Sequence, residues 1–254
     1  AMSFWFMAFV AIGAGVLAIP DWQPVRAADA GWLIGMGISG ALGQVLITEA
    51  FRCAPVSVIA PFEYSTLFWG VLLDLAIYFQ HVMFHAVPAL WRLHRVHHAD
   101  LEFDLTTGTR FHPVEILISV GIKCAVVAAL GAPAAAVLVF EVLLNATAMF
   151  NHANASLPAA AERWLRWLVV TPDMHRVHHS VRYEESSSNF GFNLPWWDRA
   201  FGTYRAQPQA GHDAMTIGVD AFRSADELRL DRLLTQPLRD TPGQYPINRR
   251  QAAG

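Results

Sequence analysis

Charged residues are scarce in this chain. They make up 15% of its 254 residues, against 54% hydrophobic residues, and the mean hydropathy is +0.31. That balance excludes an ordinary soluble domain and favours a membrane protein. The net charge is -3 and no basic cluster occurs, so no nucleic-acid partner is expected. Lysine occurs only once, as Lys123.

Cysteine occurs only twice, which excludes redox cofactor sites that need several cysteines. Cys53 and Cys124 lie far apart in apolar surroundings, and this predicts packing thiols rather than a disulfide. The chain contains no haem-attachment motif Cys-x-x-Cys-His, no ferredoxin cysteine set and no glycine-rich dinucleotide fingerprint. Any redox chemistry here therefore requires a separate electron-donor protein.

Long apolar runs are abundant, at about residues 3–19, 31–50, 56–80 and 114–150. Each is near or above the roughly 17 to 20 residues that span a bilayer, and the last can cross twice. Gly131 and Pro133, near the middle of the last run, are a helix stop and restart signal and predict a helical hairpin. The sequence thus predicts an all-α, polytopic helical membrane protein.

Histidine is concentrated in one part of the chain. All 11 histidines except His212 lie between His81 and His179, mostly in one HxxxH motif and two copies of HRVHH. The motif residues are His81, His85, His94, His97, His98, His175, His178 and His179. Spacings of three and four residues share a helix face, so each motif can direct its imidazoles to one point. Two copies predict two metal ions, or two halves of one bimetallic site.

Helix signals support this convergence. Thr171 as N-cap, Pro172 at the first helical position and Asp173 in the first turn predict a helix start before the second pentapeptide. A hairpin that leaves the histidine side near Val114 returns to it at His152, which adds a ninth candidate ligand. Neutral imidazole suits zinc, copper or iron, so the spacing alone leaves hydrolytic and oxidative sites open.

From about Leu73 to Leu238 the chain resembles the fatty acid hydroxylase and sterol desaturase superfamily of integral membrane di-iron oxygenases. The three histidine motifs occur in the order that marks this superfamily, and "TTGTRFHPVE", "NHANASLP", "VTPDMHRVHHS" and "NFGFNLPWWDRAFGTY" also match. The resemblance implies that the eight motif histidines and His152 bind two iron ions. The reduced pair would use dioxygen to hydroxylate or desaturate a C–H bond of a lipid, such as a sterol or fatty acyl chain. The implied location is a bacterial inner membrane, with the site on the cytoplasmic face.

The resemblance is incomplete at one position. Some relatives carry a second histidine four residues beyond the position of His152, where Ser156 stands here, so one iron would lack a ligand or use water. The alternatives are a non-redox zinc-binding or transporter-like structural membrane protein, and an inactive fusion. Acceptors for imidazole N–H groups are expected nearby. The candidates are Asp100, Asp104, Glu115, Asp173, Asn189 and Asp198. We assign Asp104, Asp173 and Asn189, together with His112, to positions around the ligands.

The first seventy residues have a different character. "GISGALGQVLITEAFRCAPVSVIAPFEYSTLFWGVLL" resembles the closing helices of EamA-type drug/metabolite transporters. About three helices are too few for such a transporter, so an anchor without transport activity is expected. The predicted organisation is transporter-like helices at 1–72, the histidine domain at 73–205 and a polar cytoplasmic tail at 206–254.

Lys123 is expected to have a partner because an isolated charge in a membrane helix is costly. It lies nine residues before Ala132 at the predicted hairpin tip, and Glu141 lies nine residues after it. Equal distance from the turn means equal depth in two antiparallel helices. The sequence therefore predicts a Lys123–Glu141 ion pair.

Overall fold

The computed structural model describes residues 55–239 and scattered positions between 12 and 53. The chain divides into two compact units, Ala1–Ser65 and Thr66–Gly254. The described residues between 12 and 53 are helical, and the large aliphatic ones among them are exposed. The spans predicted at 3–19 and 31–50 fall largely outside the described residues, so they remain predictions.

The first fully described helix, α1, covers Val56–Ala86 and is followed at once by α2, Pro88–His98. The break falls at Val87, whose backbone is extended at φ -92° and ψ 118°. A residue before proline is pushed out of the helical region, and Pro88 itself can begin a helix because it has no N–H to leave unpaired. This junction lets two consecutive helices present histidines to one point.

The predicted hairpin is confirmed. Helix α3 covers Pro113–Leu130 and α4 covers Ala134–Asn151. Gly131 ends α3 in the left-handed conformation at φ 66°, and its N–H donates to Val127 O at 2.9 Å. Lys123 Nζ lies 2.8 and 2.7 Å from the two carboxylate oxygens of Glu141, so the predicted ion pair is confirmed too.

Three helices in the described part are long and apolar enough to cross a membrane, over Ser65–Ala86, Pro113–Leu130 and Ala134–Asn151. Their outer faces carry exposed large side chains; Leu117, for example, is 72% exposed. In water such faces would be an aggregation hazard, whereas in a bilayer they are the normal lipid contact. Length, composition and exposure agree on an integral membrane protein.

Short helices follow the hairpin. They are α5 Ala159–Leu165, α6 Pro172–His178, α7 Tyr183–Ser186, α8 Trp196–Phe201 and α9 Leu230–Thr235. Single 3₁₀ turns cover Thr107–Thr109, Ala225–Leu228 and Gln236–Leu238. Over 55–239 no strand is present beyond one isolated bridge, Ser180 to Ile217, so the all-α prediction is confirmed.

A buried carboxylate joins α1 to the loop before α8. Asp74 accepts hydrogen bonds from the backbone N–H groups of Asn193 and Leu194 at 3.3 and 3.2 Å and from Trp197 Nε1 at 2.8 Å. Three donors compensate a carboxylate that is only 2% exposed. The indole of Trp197, in the stretch "PWWDRAF", thus contributes to an internal joint.

Within the described residues after 205, which end at 239, Phe222 and residues 236–239 pack against α2. Arg95 donates to Gln236 O at 2.5 Å and to Arg239 O at 2.8 Å, and its guanidinium lies 5.0 Å from the ring centre of Phe222. Arg92 donates to Pro237 O. Arg95 lies between two histidines of the first pentapeptide, so this segment supports the histidine cluster from outside.

Candidate metal centre

Nine buried histidines form two adjacent groups. The five-histidine group contains His81, His85, His94, His98 and His178, and the four-histidine group contains His97, His152, His175 and His179. Within each group, one ring nitrogen per residue lies within 4.8 Å of the others. The groups touch: the rings of His98 and His179 stack with centroids 4.5 Å apart. Both pentapeptides thus enter one cluster, as their spacing predicts.

Each pentapeptide contributes to both groups. The first sends His94 and His98 to the five-histidine group and His97 to the four-histidine group. The second does the reverse, sending His175 and His179 to the four-histidine group and His178 to the five-histidine group. Positions i and i+4 lie nearly above one another on a helix, whereas i+3 points to the other side of that line. One short helix can therefore serve two neighbouring sites.

Local signals position the second pentapeptide. Thr171 caps α6 by accepting the N–H of Met174 at 3.4 Å, with Pro172 and Asp173 in the first turn, as predicted. Thr171 in turn donates its hydroxyl to the buried carboxylate of Glu162 at 2.7 Å. Four histidines come from this helix and the end of α4, since His152 is the C-cap residue of α4.

The ring nitrogens fit a bound metal. The nine side chains are at most 3% exposed, yet many of their nitrogens lack a hydrogen-bond partner, including both nitrogens of His85, His98 and His179. Buried polar atoms are normally paired, so unpaired nitrogens that converge on one point indicate a ligand. His152 Nε2 lies 3.0 Å from His175 Nε2 and 3.3 Å from His97 Nε2. Nitrogens about 2.1 Å from a shared ion have such separations.

Four rings are oriented by an acceptor at Nδ1, which leaves Nε2 to face the cluster. Three of these acceptors are backbone carbonyls. They are Phe190 O for His81 at 2.8 Å, Ser188 O for His178 at 2.7 Å and Ala148 O for His152 at 2.7 Å. The fourth is the buried carboxylate of Glu115, which accepts from His94 Nδ1 at 2.5 Å.

The loop that supplies two of these carbonyls is itself held by a buried carboxylate. Asp198 accepts the N–H groups of Phe190 and Gly191 at 2.7 and 2.8 Å, and burial raises its pKa. A Cβ at Gly191 would lie 2.7 Å from Asp198 Oδ2, so only glycine permits this approach. Asp198 thereby fixes the carbonyl that orients His81.

Burial also keeps six of the rings outside the spans neutral. It lowers the pKa of His152 to about 4 and that of His178 to about 3, and it lowers the pKa of His97, His98, His175 and His179 well below the usual value. Only the neutral ring can donate an electron pair to a metal. The environment therefore favours the form that binds a cation.

The other residues assigned from the sequence lie around the cluster without hydrogen-bonding its rings in the contacts described. His112 caps α3 through Val114 N, Asp104 accepts from Thr106, and Asp173 pairs with Arg176. Asn189 donates to Met174 O at 2.9 Å, directly before His175, and so supports α6. Ser156 is exposed, so the four-histidine group gains no fifth ligand from it. His212 lies outside both groups.

Two cavities reach the cluster from different sides. One of about 270 Å³ lies between α1, α3 and α4 and is lined by His81, His94 and Glu115 among apolar residues. The other, about 230 Å³, is lined by Trp91, His98 and Tyr183 together with residues 218–220. The first is bounded by the spans and suits a lipid chain, whereas the second lies among the short elements outside them.

Fold and site together define a helical integral membrane protein with histidine-only groups suited to metal. Residues 66–203 match the model of the fatty acid hydroxylase family, which is more than half of the chain. The protein therefore belongs to the fatty acid hydroxylase family.

Similar proteins agree with this membership. Ornithine lipid hydroxylase OlsE of Rhizobium tropici is 26% identical over 69% of this chain and 55% of its own length. Alkylglycerol monooxygenase of Xenopus tropicalis is 26% identical over 79% of this chain and 46% of its own length. The chain thus spans about half the length of the curated relatives it matches. No solved structure matches it.

A separate similarity covers a shorter stretch. Over 50 residues, 20% of this chain and 17% of the relative, the chain is 46% identical to a protein of Helicobacter pylori described as an uncharacterized transporter. That relation agrees with a transporter-like segment, and its assignment to the EamA type stays a prediction.

Proposed function

We propose that the protein is a membrane-bound di-iron lipid hydroxylase or desaturase, with the nine histidines as iron ligands. The observation that carries the proposal is the division of all nine into two adjacent groups with unpaired, inward-facing nitrogens. A pair of reduced irons would supply dioxygen activation with two electrons and two protons: hydroxylation would put one oxygen into a C–H bond and release the other as water, whereas desaturation would remove two hydrogens and release both oxygens as water. The named relatives are lipid hydroxylases and monooxygenases, which supports this class of reaction.

The chain's own residues would position the substrate and exclude water. The cavity between α1, α3 and α4 brings a chain carbon beside His81 and His94, while Phe84, Phe111 and Phe192 give it apolar walls. Glu115 orients His94, and the Phe190 carbonyl fixed by Asp198 orients His81, so these ligands need not reorganise during turnover. The relatives' names concern an ornithine lipid, an alkylglycerol and cholesterol, so lipid is the substrate class we propose.

Electrons would come from a separate donor protein because the chain has no second redox motif. We place the site at the cytoplasmic face of a bacterial inner membrane. There the cavity beside Trp91 and Tyr183 would be accessible from the aqueous side.

The test measures metal and product together. The full chain purified in detergent should contain about two irons per chain and consume dioxygen when a reductant and a lipid extract are supplied. His178→Ala should reduce bound iron and abolish the oxidised lipid detected by mass spectrometry. His212→Ala, outside both groups, is the matched control and should behave as the wild type.

An all-imidazole ligand set also suits zinc, and this is the competing function. A chain that is isolated with zinc, rejects iron under anaerobic reconstitution and yields no oxidised lipid would be a non-redox zinc protein. That result would contradict the oxygenase proposal.

A further inference from the structure

The lipid-side cavity has a mostly apolar lining, but polar side chains line one wall of it. Along α3 its wall runs from Glu115, which contacts His94, to Lys123, about 12 Å further along the helix. Glu141 on α4 completes the wall at the same depth. The cavity therefore extends from the histidine cluster to an ion pair inside the membrane-spanning helices.

The ion pair is not sealed by protein. The Lys123 side chain is 24% exposed and that of Glu141 is 34% exposed, and both line the cavity. The two hydrogen bonds to Glu141 leave one of the three ammonium donors of Lys123 available.

A second polar pair lies between the ion pair and the histidines. Gln80 Nε2 donates to Ser119 Oγ at 2.9 Å, while Gln80 Oε1 is buried without a partner. Turning the amide over would exchange the two atoms and leave Nε2 unpaired instead. Either way, one polar atom of Gln80 lacks a partner in a wall of the cavity.

Such a lining lowers the affinity for a purely hydrocarbon chain. A hydrocarbon chain would shield these groups from water and offer them no hydrogen bond, and an unpaired polar group in an apolar environment is costly. A chain with a group that both donates and accepts would bond the partly exposed ammonium of Lys123 and carboxylate of Glu141. Sites built to bond a polar group discriminate strongly against analogues that lack it.

The geometry points to a polar recognition site formed by Lys123, Glu141 and Gln80. It selects a lipid whose chain carries a hydroxyl or amide over an unsubstituted chain, with the polar group on the side of the ion pair, which lies about 12 Å along α3 from Glu115. This inference rests on the proposed function for the cavity as the lipid site. It names the ion pair as a specificity determinant in addition to its role in the hairpin.

The test is competitive binding without turnover. The iron-loaded full chain in detergent, without reductant, is equilibrated with equal amounts of octadecanoic acid and positional isomers of hydroxyoctadecanoic acid. Retained lipids are then quantified by mass spectrometry. At least one hydroxy isomer should be enriched about fivefold to tenfold over octadecanoic acid, the effect of about one net hydrogen bond or slightly more. Equal retention of the lipids, or retention of none, would overturn the inference.

Two variants separate recognition from a purely structural role. The double variant Lys123→Met/Glu141→Gln leaves no isolated charge and should bring the retained ratio to about parity while iron content stays unchanged. The exchanged pair Lys123→Glu/Glu141→Lys keeps the ion pair but swaps donor and acceptor, so it should lose or change the preferred isomer. Cys124→Ala, at the neighbouring exposed position of α3, is the control and should retain the wild-type ratio. A wild-type ratio in the exchanged pair would show that the ion pair only joins the helices.

The proposed function and this inference can fail independently. A chain that binds no iron but prefers hydroxylated lipids contradicts the oxygenase and leaves lipid recognition intact. A chain that binds iron and oxidises lipids without the preference contradicts only the recognition site.

Discussion

The two histidine groups have the same plan and differ in one ligand. Each takes an i, i+4 pair from one pentapeptide and a single histidine from the other. The five-histidine group adds His81 and His85 from α1, whereas the four-histidine group adds only His152, with Ser156 exposed beyond it. An ion in the second group would therefore be held by fewer imidazoles and keep more room for water or dioxygen, as catalytic metal sites do.

The largest expected difference between the groups comes from removing one ligand from each. His175→Ala leaves three imidazoles in the four-histidine group, and it should reduce iron from about two per chain to about one and lower turnover by more than about 100-fold. His85→Ala leaves four imidazoles in its group and should retain both ions at saturating iron. Metal analysis and lipid mass spectrometry on the two variants check this. Equal iron loss would show that the groups do not differ in this way.

The second largest effect should be a loss of stability of the metal-free chain in acid. As the pH falls, His152 of the four-histidine group should be protonated before His178 of the five-histidine group. Unfolded histidine titrates near pH 6.5, whereas folded His152 and His178 stay neutral until about pH 4 and about pH 3. Between these values the unfolded chain binds more protons, so stability falls as pH falls, by about 1.4 kcal/mol per pH unit for each such histidine.

Melting of the metal-free chain in detergent, followed by circular dichroism, measures this pH effect. The melting temperature should be nearly constant just above pH 6.5 and decrease steadily below it, and bound iron should move the decrease to lower pH. A constant melting temperature from pH 6.5 to about 4 would contradict neutral burial of these rings.

A smaller effect, confined to one iron, is expected from Glu115. Among the four oriented rings this carboxylate accepts only from His94, which belongs to the five-histidine group. Glu115→Gln keeps the size but removes the charge that accepts from His94, so iron affinity or activity should fall by about 10- to 100-fold. Mössbauer spectra should change for one iron and not for the other. Identical changes at both irons would mean that Glu115 acts on the whole centre.

The smallest effect is expected at Gly108, on the four-histidine side. An added Cβ would lie 3.2 Å from both His152 Nδ1 and Ala148 O, the two atoms that hold this ring in place. Gly108→Ala should weaken the second iron severalfold without removing it. Gly121→Ala, whose new methyl meets no atom within 4 Å, is the matched control and should leave iron binding unchanged.

Local features of this fold could be predicted from the sequence because they depend on short-range rules. Thr171 and Pro172 start α6, Gly131 turns the hairpin, and the equal spacing of Lys123 and Glu141 from that turn places them together. The clustering of both pentapeptides follows from their repeated spacing and shared membrane side.

Tertiary features could not be predicted in this way. The exchange of His97 and His178 between groups depends on how α2 and α6 face each other, and no spacing within one helix contains that information. Three of the four oriented rings donate to backbone carbonyls. Every residue has a carbonyl, so the sequence does not show which ones act as acceptors, and polar side chains such as Asp104 were predicted instead. The role of Glu115 as an acceptor could be predicted, since it lies in the first turn of a helix that begins at the site.

The contact of Arg95 with residues 236 and 239 has a consequence for biosynthesis. The first pentapeptide leaves the ribosome about 140 residues before the segment whose carbonyls hold it, since Arg95 bonds Gln236 O across a separation of 141 residues. Helices α1 to α4 can enter the membrane while that segment is still being translated. The first pentapeptide therefore lacks the hydrogen bonds from Arg95 to Gln236 O and Arg239 O until translation has passed Arg239 and the new segment folds onto α2. Loading of iron should accordingly be a post-translational event, and a ribosome stalled before residue 236 should carry a chain that is inserted in the membrane but poor in metal.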